Sequence, residues 1–162
     1  MKRLFVLCIG SLWMFSASVA WSYDAEMAES YAKLFAPVTG AKAGKALHFV
    51  KPDAFIEDIR AGKTFVAIDV RTPAETDVIA VSLPNSLAIP VNELFRSENL
   101  KRIPRDQPVM VICKSGARAT AAGTALRHIG FDNVHILKGG LQGLSAYYDP
   151  KQAYQQPGAA EK

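Results

Sequence analysis

Val109-Met110-Val111-Ile112-Cys113-Lys114-Ser115-Gly116-Ala117-Arg118 is the stretch that decides how this chain folds. Four consecutive apolar residues after Pro108 have the pattern of a strand covered on both faces, as in a parallel sheet flanked by helices. Cys113 follows directly. After a short loop, Ala119 to Ile129 has the composition of a good helix, with Gly130 where a C-cap glycine belongs. A strand–loop–helix unit of this kind puts the cysteine at the carboxyl end of a strand, where open parallel sheets bind ligands. It also puts the sulfur near the N–H groups and positive dipole end of the following helix, which favour an anion.

Outward from this unit, Thr64 to Val70 reads as a second buried strand, Ala46 to Val50 as a short one and Asn133 to Leu137 as another. Pro52 to Ala61 is predicted as a helix with Phe55, Ile56 and Ile59 inward, closed by Gly62. Arg71 to Ser86 reads as irregular, Leu87 to Pro90 as a short extended segment, and Val91 to Leu100 as a helical turn or two. Gly139-Gly140 reads as a turn demanding positive φ, before a last helix from Leu141 to Tyr148. Strands alternating with helices of this length predict an α/β fold: a parallel sheet with helices on both faces. A further helix, Asp24 to Ala36, carries Met27, Tyr31, Leu34 and Phe35 at helical spacing. That stripe is expected to lie on the domain's own core, with a partner protein as the alternative.

Lys2 and Arg3, the apolar run Leu4 to Ala20 and the closing Ser18-Val19-Ala20 form a secretory signal pattern. Cleavage after Ala20 is expected, giving an exported, periplasmic protein. The expected organisation is a signal peptide over 1–20, an N-terminal helical extension over 21–46, one domain over 47–148 and a disordered Gln-, Ala- and Pro-containing tail over 149–162. The chain has 162 residues and a net charge of +4, to which the signal contributes Lys2 and Arg3. Basic residues are scattered without an aromatic-interleaved stripe, so no nucleic-acid partner is expected, and no membrane partner is expected after cleavage. His48, His128 and His135 lack metal-ligand spacing. Of the two cysteines, Cys8 leaves with the signal. Cys113 then has no intrachain partner and is a reactive thiol, half of an intermolecular bridge or an inert buried residue.

The surroundings of Cys113 favour the first. Lys114 and Arg118 supply cations, Gly116 lets the backbone curl, and Ser115 and Ala117 are small, a setting in which a thiolate is preferred. Such a nest serves attack on phosphate or arsenate, or on the sulfane sulfur of thiosulfate or a persulfide. With only four residues between Cys113 and Arg118, the ring is tighter than the phosphatase loops that enclose a tetrahedral phosphate.

Asp69-Val70-Arg71, the Cys113–Arg118 loop, Ile129-Gly130-Phe131-Asp132-Asn133-Val134 and Leu137-Lys138-Gly139-Gly140 together resemble, in order, the signatures of the rhodanese family. The resemblance implies a three-layer α/β fold with a mostly parallel five-stranded sheet, and a thiosulfate or persulfide sulfurtransferase cycle needing no metal and no cofactor. It implies that Cys113 is the nucleophile and holds sulfur as a persulfide in a nest of N–H groups from Lys114 to Arg118. Lys114 and Arg118 would attract an anionic donor such as thiosulfate; a thiol, cyanide or a protein would accept the sulfur. Asp69 and Arg71 match the first signature and are expected to brace the strand end. The chain departs from the family where Val81 to Pro90 contains no His, and where Leu141-Gln142-Gly143-Leu144 lacks a tryptophan. A non-turnover sulfur carrier that delivers its persulfide to a partner protein uses the same residues and stays open as the alternative.

Overall fold

Alternation along two neighbouring strands sorts the core into two halves. The computed structural model describes residues 23–148, so the signal segment and the tail over 149–162 lie outside the described residues. In β2 (Val66–Asp69) and β4 (Val109–Ile112), Val66, Ile68, Val109 and Val111 point to one face of the sheet, while Ala67, Met110 and Ile112 point to the other. Both strands are buried on both faces, which is why they read as unbroken apolar runs.

With β1 (Phe49–Val50), β3 (Leu87–Ala88) and β5 (Val134–Leu137) they form one five-stranded sheet in the order β1-β5-β4-β2-β3. Every pair is parallel, and Ile68 lies opposite Val111 and Asp69 opposite Ile112. The carboxyl ends of β2 and β4 are therefore side by side, bringing Asp69 and Cys113 to the same edge.

Seven α-helices and a short 3-10 helix (Gly40–Lys42) complete the described residues: α1 (Ala25–Phe35), α2 (Ala43–Ala46), α3 (Pro52–Arg60), α4 (Pro73–Val78), α5 (Ser97–Leu100), α6 (Ala117–His128) and α7 (Gly140–Tyr147). On one face, α6 buries Ala119, Ala122 and Leu126 against β4 and β5. A Cβ at Gly123 would stand 2.6 Å from Ile136, so the missing side chain sets how closely α6 lies on β5. On the other face, Phe55 and Ile59 of α3 and Leu141 and Leu144 of α7 cover Ala67, Met110, Ile112 and Leu137. Each fully buried Val, Leu or Ile side chain in these layers stabilises the fold by roughly 1.5–3 kcal/mol relative to exposure.

Three expectations need correction. The stretch Arg71 to Ser86 is not irregular throughout, because Pro73 at the first turn and a Thr72–Glu75 capping box start α4. α6 starts two residues earlier than its composition suggests, with Gly116 at φ +92° as N-cap. The stripe on α1 does not enter the core: none of its residues is buried, and Met27, Tyr31 and Phe35 are exposed. The reason is local. Where α1 meets the domain, α6 offers not an apolar groove but His128, whose ring stacks on Tyr31 at 4.0 Å and whose Nε2 is 3.2 Å from Ser30 Oγ. Among the described residues no helix is long and apolar enough to cross a membrane.

Candidate active site

Cys113 directly follows β4, on the α6 side of the sheet, and is fully buried. Its Sγ accepts hydrogen bonds from the N–H of Gly116 at 3.1 Å and of Ala119 at 3.4 Å. The loop curls so that two N–H groups at the N-terminus of α6, those of the N-cap Gly116 and of Ala119 in the first turn, face the sulfur. Lys114, Ser115 and Ala117 are exposed around the mouth, and Arg118 is half-buried. Of the nest expected from Lys114 to Arg118, Gly116 supplies the N–H that donates to the sulfur, and the second donor, Ala119, lies just beyond it.

The loop is fastened from two sides by groups far from it in sequence. On the first side, Arg118 makes a two-pronged ion pair with Glu75, Nη1–Oε2 and Nη2–Oε1 both at 2.7 Å. Glu75 Oε2 also accepts from the N–H and hydroxyl of Thr72, each at 3.0 Å. The hydrogen bonds from Arg118, then those from Thr72, hold the Glu75 carboxyl far below its ordinary 4.5, and Glu75 in turn raises the Arg118 guanidinium. Sequence reading missed Glu75, although Thr72-Pro73-Ala74-Glu75 carries the spacing of a capping box.

Asp69 and Arg71 hold α4 in place. They are 3% and 5% exposed, and Arg71 donates to Asp69 from Nε at 2.9 and 3.0 Å and from Nη2 at 2.6 Å. The far end of the guanidinium donates to the carbonyls of Glu75 and Ile79. Its pKa is raised first by the hydrogen bonds to Asp69. Neither side chain donates to Cys113: the pair fixes α4 to the end of β2, so that Glu75 faces Arg118.

On the second side, α7 starts against the loop. The N–H of Leu141 donates to the Cys113 carbonyl and that of Gln142 to the Lys114 carbonyl, both at 2.9 Å. The approach is so close that a Cβ on Gly140 would lie 2.3 Å from Cys113 O, 2.7 Å from Gly116 N and 2.8 Å from Lys114 C. Gly140 also sits at φ +57°. The double glycine therefore meets the expected demand for positive φ and, beyond that, lets one helix cap the carbonyls of the Cys113 loop. No one-dimensional signal announces that contact.

The histidines lie elsewhere. His48 Nδ1 is 3.0 Å from the Val134 carbonyl, His135 stacks on His48, and His128 meets α1. Among the described residues no three His, Cys, Asp or Glu side chains converge as metal ligands would.

Comparison with known proteins agrees with this geometry. The chain is 34% identical over 74 residues to a sulfurtransferase of Allochromatium vinosum, covering 46% of this chain and 65% of the relative. It is 27% identical over 101 residues to a probable adenylyltransferase/sulfurtransferase MoeZ of Mycobacterium tuberculosis, 62% of this chain but only 25% of that much longer protein. Among solved structures, a rhodanese-related protein from Thermoplasma volcanium superposes with a TM-score of 0.53 at 31% identity, covering 64% of this chain and 95% of that one. The Rhodanese-like domain family matches residues 51–147, from the start of α3 to the end of α7, and the chain belongs to that family.

Proposed function

We propose that the protein is a thiosulfate or persulfide sulfurtransferase in which Cys113 carries the sulfur. The observation that supports this best is the pair of backbone N–H groups aimed at the Cys113 sulfur at the head of α6. Fixed donors of this kind stabilise negative charge without having to reorganise during reaction. In the first half-reaction the Cys113 thiolate attacks the outer sulfur of thiosulfate. A Cys113 S–S bond forms, the donor's S–S bond breaks, and sulfite leaves with the electron pair. In the second, an acceptor thiolate or cyanide attacks the outer sulfur of the persulfide and Cys113 leaves as the thiolate. No external oxidant or reductant is required.

Lys114 gives the mouth of the loop a positive charge for the anionic donor. Arg118, tied to Glu75, holds the first turn of α6 in the geometry that aims the Gly116 and Ala119 N–H groups. Intact-mass measurement after incubation with thiosulfate is the test. A gain of roughly 32 Da, one sulfur, that is absent in Cys113→Ser is expected, together with thiocyanate formation when cyanide is added. Failure of both thiosulfate and an organic persulfide to load the protein would refute the proposal. Loading without turnover on cyanide would leave the carrier role in its place.

A further inference from the structure

We propose that the groove beside the Cys113 loop receives the cysteine-bearing segment of an acceptor protein, apolar around its thiol and carrying a carboxylate for Lys114. This deepens, and rests on, the sulfurtransferase reading. The groove, about 680 Å³, runs between α4 and α7 and begins at Lys114, the residue after the nucleophile. Its volume lies in the range that holds a drug-sized ligand, far more than a small anionic donor or cyanide fills.

Its walls are mostly apolar, formed by Ala74, Val78 and Ile79 on one side and Leu141 on the other. Val78 is 81% exposed and Ile79 64%, the two most exposed large apolar side chains among the described residues. One such residue on a surface calls for no explanation. Two in succession, lining a groove that starts at the residue after Cys113, form a patch of the kind that marks an interaction site. Thiosulfate, sulfite and cyanide gain nothing from such a wall, and neither does a polar peptide thiol. An acceptor with aliphatic side chains flanking its cysteine does.

Charge fixes the second feature of the occupant. Arg71 is neutralised by Asp69 and Arg118 by Glu75, whereas Lys114 has no ion-pair partner among the described residues. The uncompensated charge of the groove is therefore a single positive one at its head, which a carboxylate close to the acceptor cysteine satisfies. Reach fixes the third. Cys113 Sγ is buried, and the outer sulfur of its persulfide stands about 2.05 Å further out. The acceptor thiol has to be presented at the loop mouth while its flanking residues rest in the groove. Its thiolate then attacks that outer sulfur: the acceptor's S–S bond forms, the Cys113 S–S bond breaks, and the electron pair returns to Cys113.

The test compares two synthetic peptides as acceptors for thiosulfate-loaded protein, acetyl-Asp-Leu-Cys-Val-Leu-amide and acetyl-Ser-Gly-Cys-Gly-Ser-amide. Wild type, Val78→Asp and Val78→Ser are used, and thiocyanate formation from thiosulfate and cyanide is measured alongside. Burying one valine-sized side chain corresponds to roughly a tenfold preference for the first peptide in wild type. Val78→Asp is expected to abolish that preference and Val78→Ser to reduce it, with thiocyanate formation kept within about twofold because the cyanide reaction does not use the wall. Equal transfer to both peptides by wild type, or an undiminished preference in Val78→Asp, would overturn the proposal. Absent thiocyanate formation in wild type would instead bring down the sulfurtransferase reading beneath it.

Discussion

Replacing Gly140 by alanine adds one methyl group at the most crowded point of the site. The new Cβ would lie 2.3 Å from the Cys113 carbonyl oxygen and under 3 Å from Gly116 N and Lys114 C, all backbone atoms that no side-chain rotation can move aside. Two costs add. Holding a non-glycine residue in the left-handed region costs about 1–2 kcal/mol, and forcing an extra methyl into packed surroundings costs about 1–3 kcal/mol. The total, about 2–5 kcal/mol, is a large part of the 5–15 kcal/mol that stabilises a typical domain. Gly130→Ala separates the two costs, because Gly130 is at φ +94° with no heavy atom within 4 Å of the added Cβ, and so suffers the backbone cost alone. In urea titrations with an m-value of about 2 kcal/mol per molar, a further 2 kcal/mol lowers the midpoint by about 1 M beyond that of Gly130→Ala. The clash is against the loop that aims N–H groups at Cys113, so sulfur loading per folded molecule should fall in Gly140→Ala and persist in Gly130→Ala. Equal midpoints for the two variants would refute the close approach of α7 to the loop.

Arg71→Met leaves Asp69 buried without its partner and is expected to cost about 3–5 kcal/mol by chemical denaturation; a loss under about 1 kcal/mol would mean that the pair does not anchor α4. Glu75→Gln concerns acid stability. The folded Glu75 pKa is depressed below the ordinary 4.5, so its contribution is present above about pH 4.5 and is lost as pH falls toward the folded value. The midpoint difference between wild type and Glu75→Gln should therefore be largest near pH 6 and shrink toward about pH 3; a difference that grows on acidification would show that the ion pair with Arg118 is not formed in solution.

Much of this molecule could be read in one dimension. The Val109–Ile112 run, the cysteine after it and the helix after that specify strand, thiol and dipole without any tertiary information, because all three are adjacent in sequence. The parallel sheet followed from apolar strands separated by helices. α4 could have been found too, since Thr72-Pro73-Ala74-Glu75 joins a capping box to an N-terminal proline; two prolines in sixteen residues obscured it. The α1 stripe shows the opposite limit. Helical periodicity says that one face is apolar, but not what that face meets, and here it meets a histidine at the end of α6. Gly140 was legible as a turn and illegible as a packing contact, because the carbonyl it accommodates lies twenty-seven residues earlier in the chain.

Lys114 and Arg118 read alike in the sequence, as two cations flanking a cysteine loop, yet their surroundings give them different tasks. Arg118 faces a carboxylate at 2.7 Å on both prongs, so the pair brings almost no net charge to the loop; its rigid fork matches the carboxylate and fixes the first turn of α6. Lys114 is exposed and unpaired among the described residues, and a flexible ammonium suits attraction better than positioning. In the proposed sulfurtransferase cycle, attraction of an anionic donor falls to Lys114, and aim to Arg118 through the N–H groups of Gly116 and Ala119. The division has a kinetic consequence. Loss of Lys114 weakens capture of the anion and is felt mainly at low donor concentration and low salt. Loss of Arg118 loosens the donors that face the sulfur, and its effect persists when the donor is saturating.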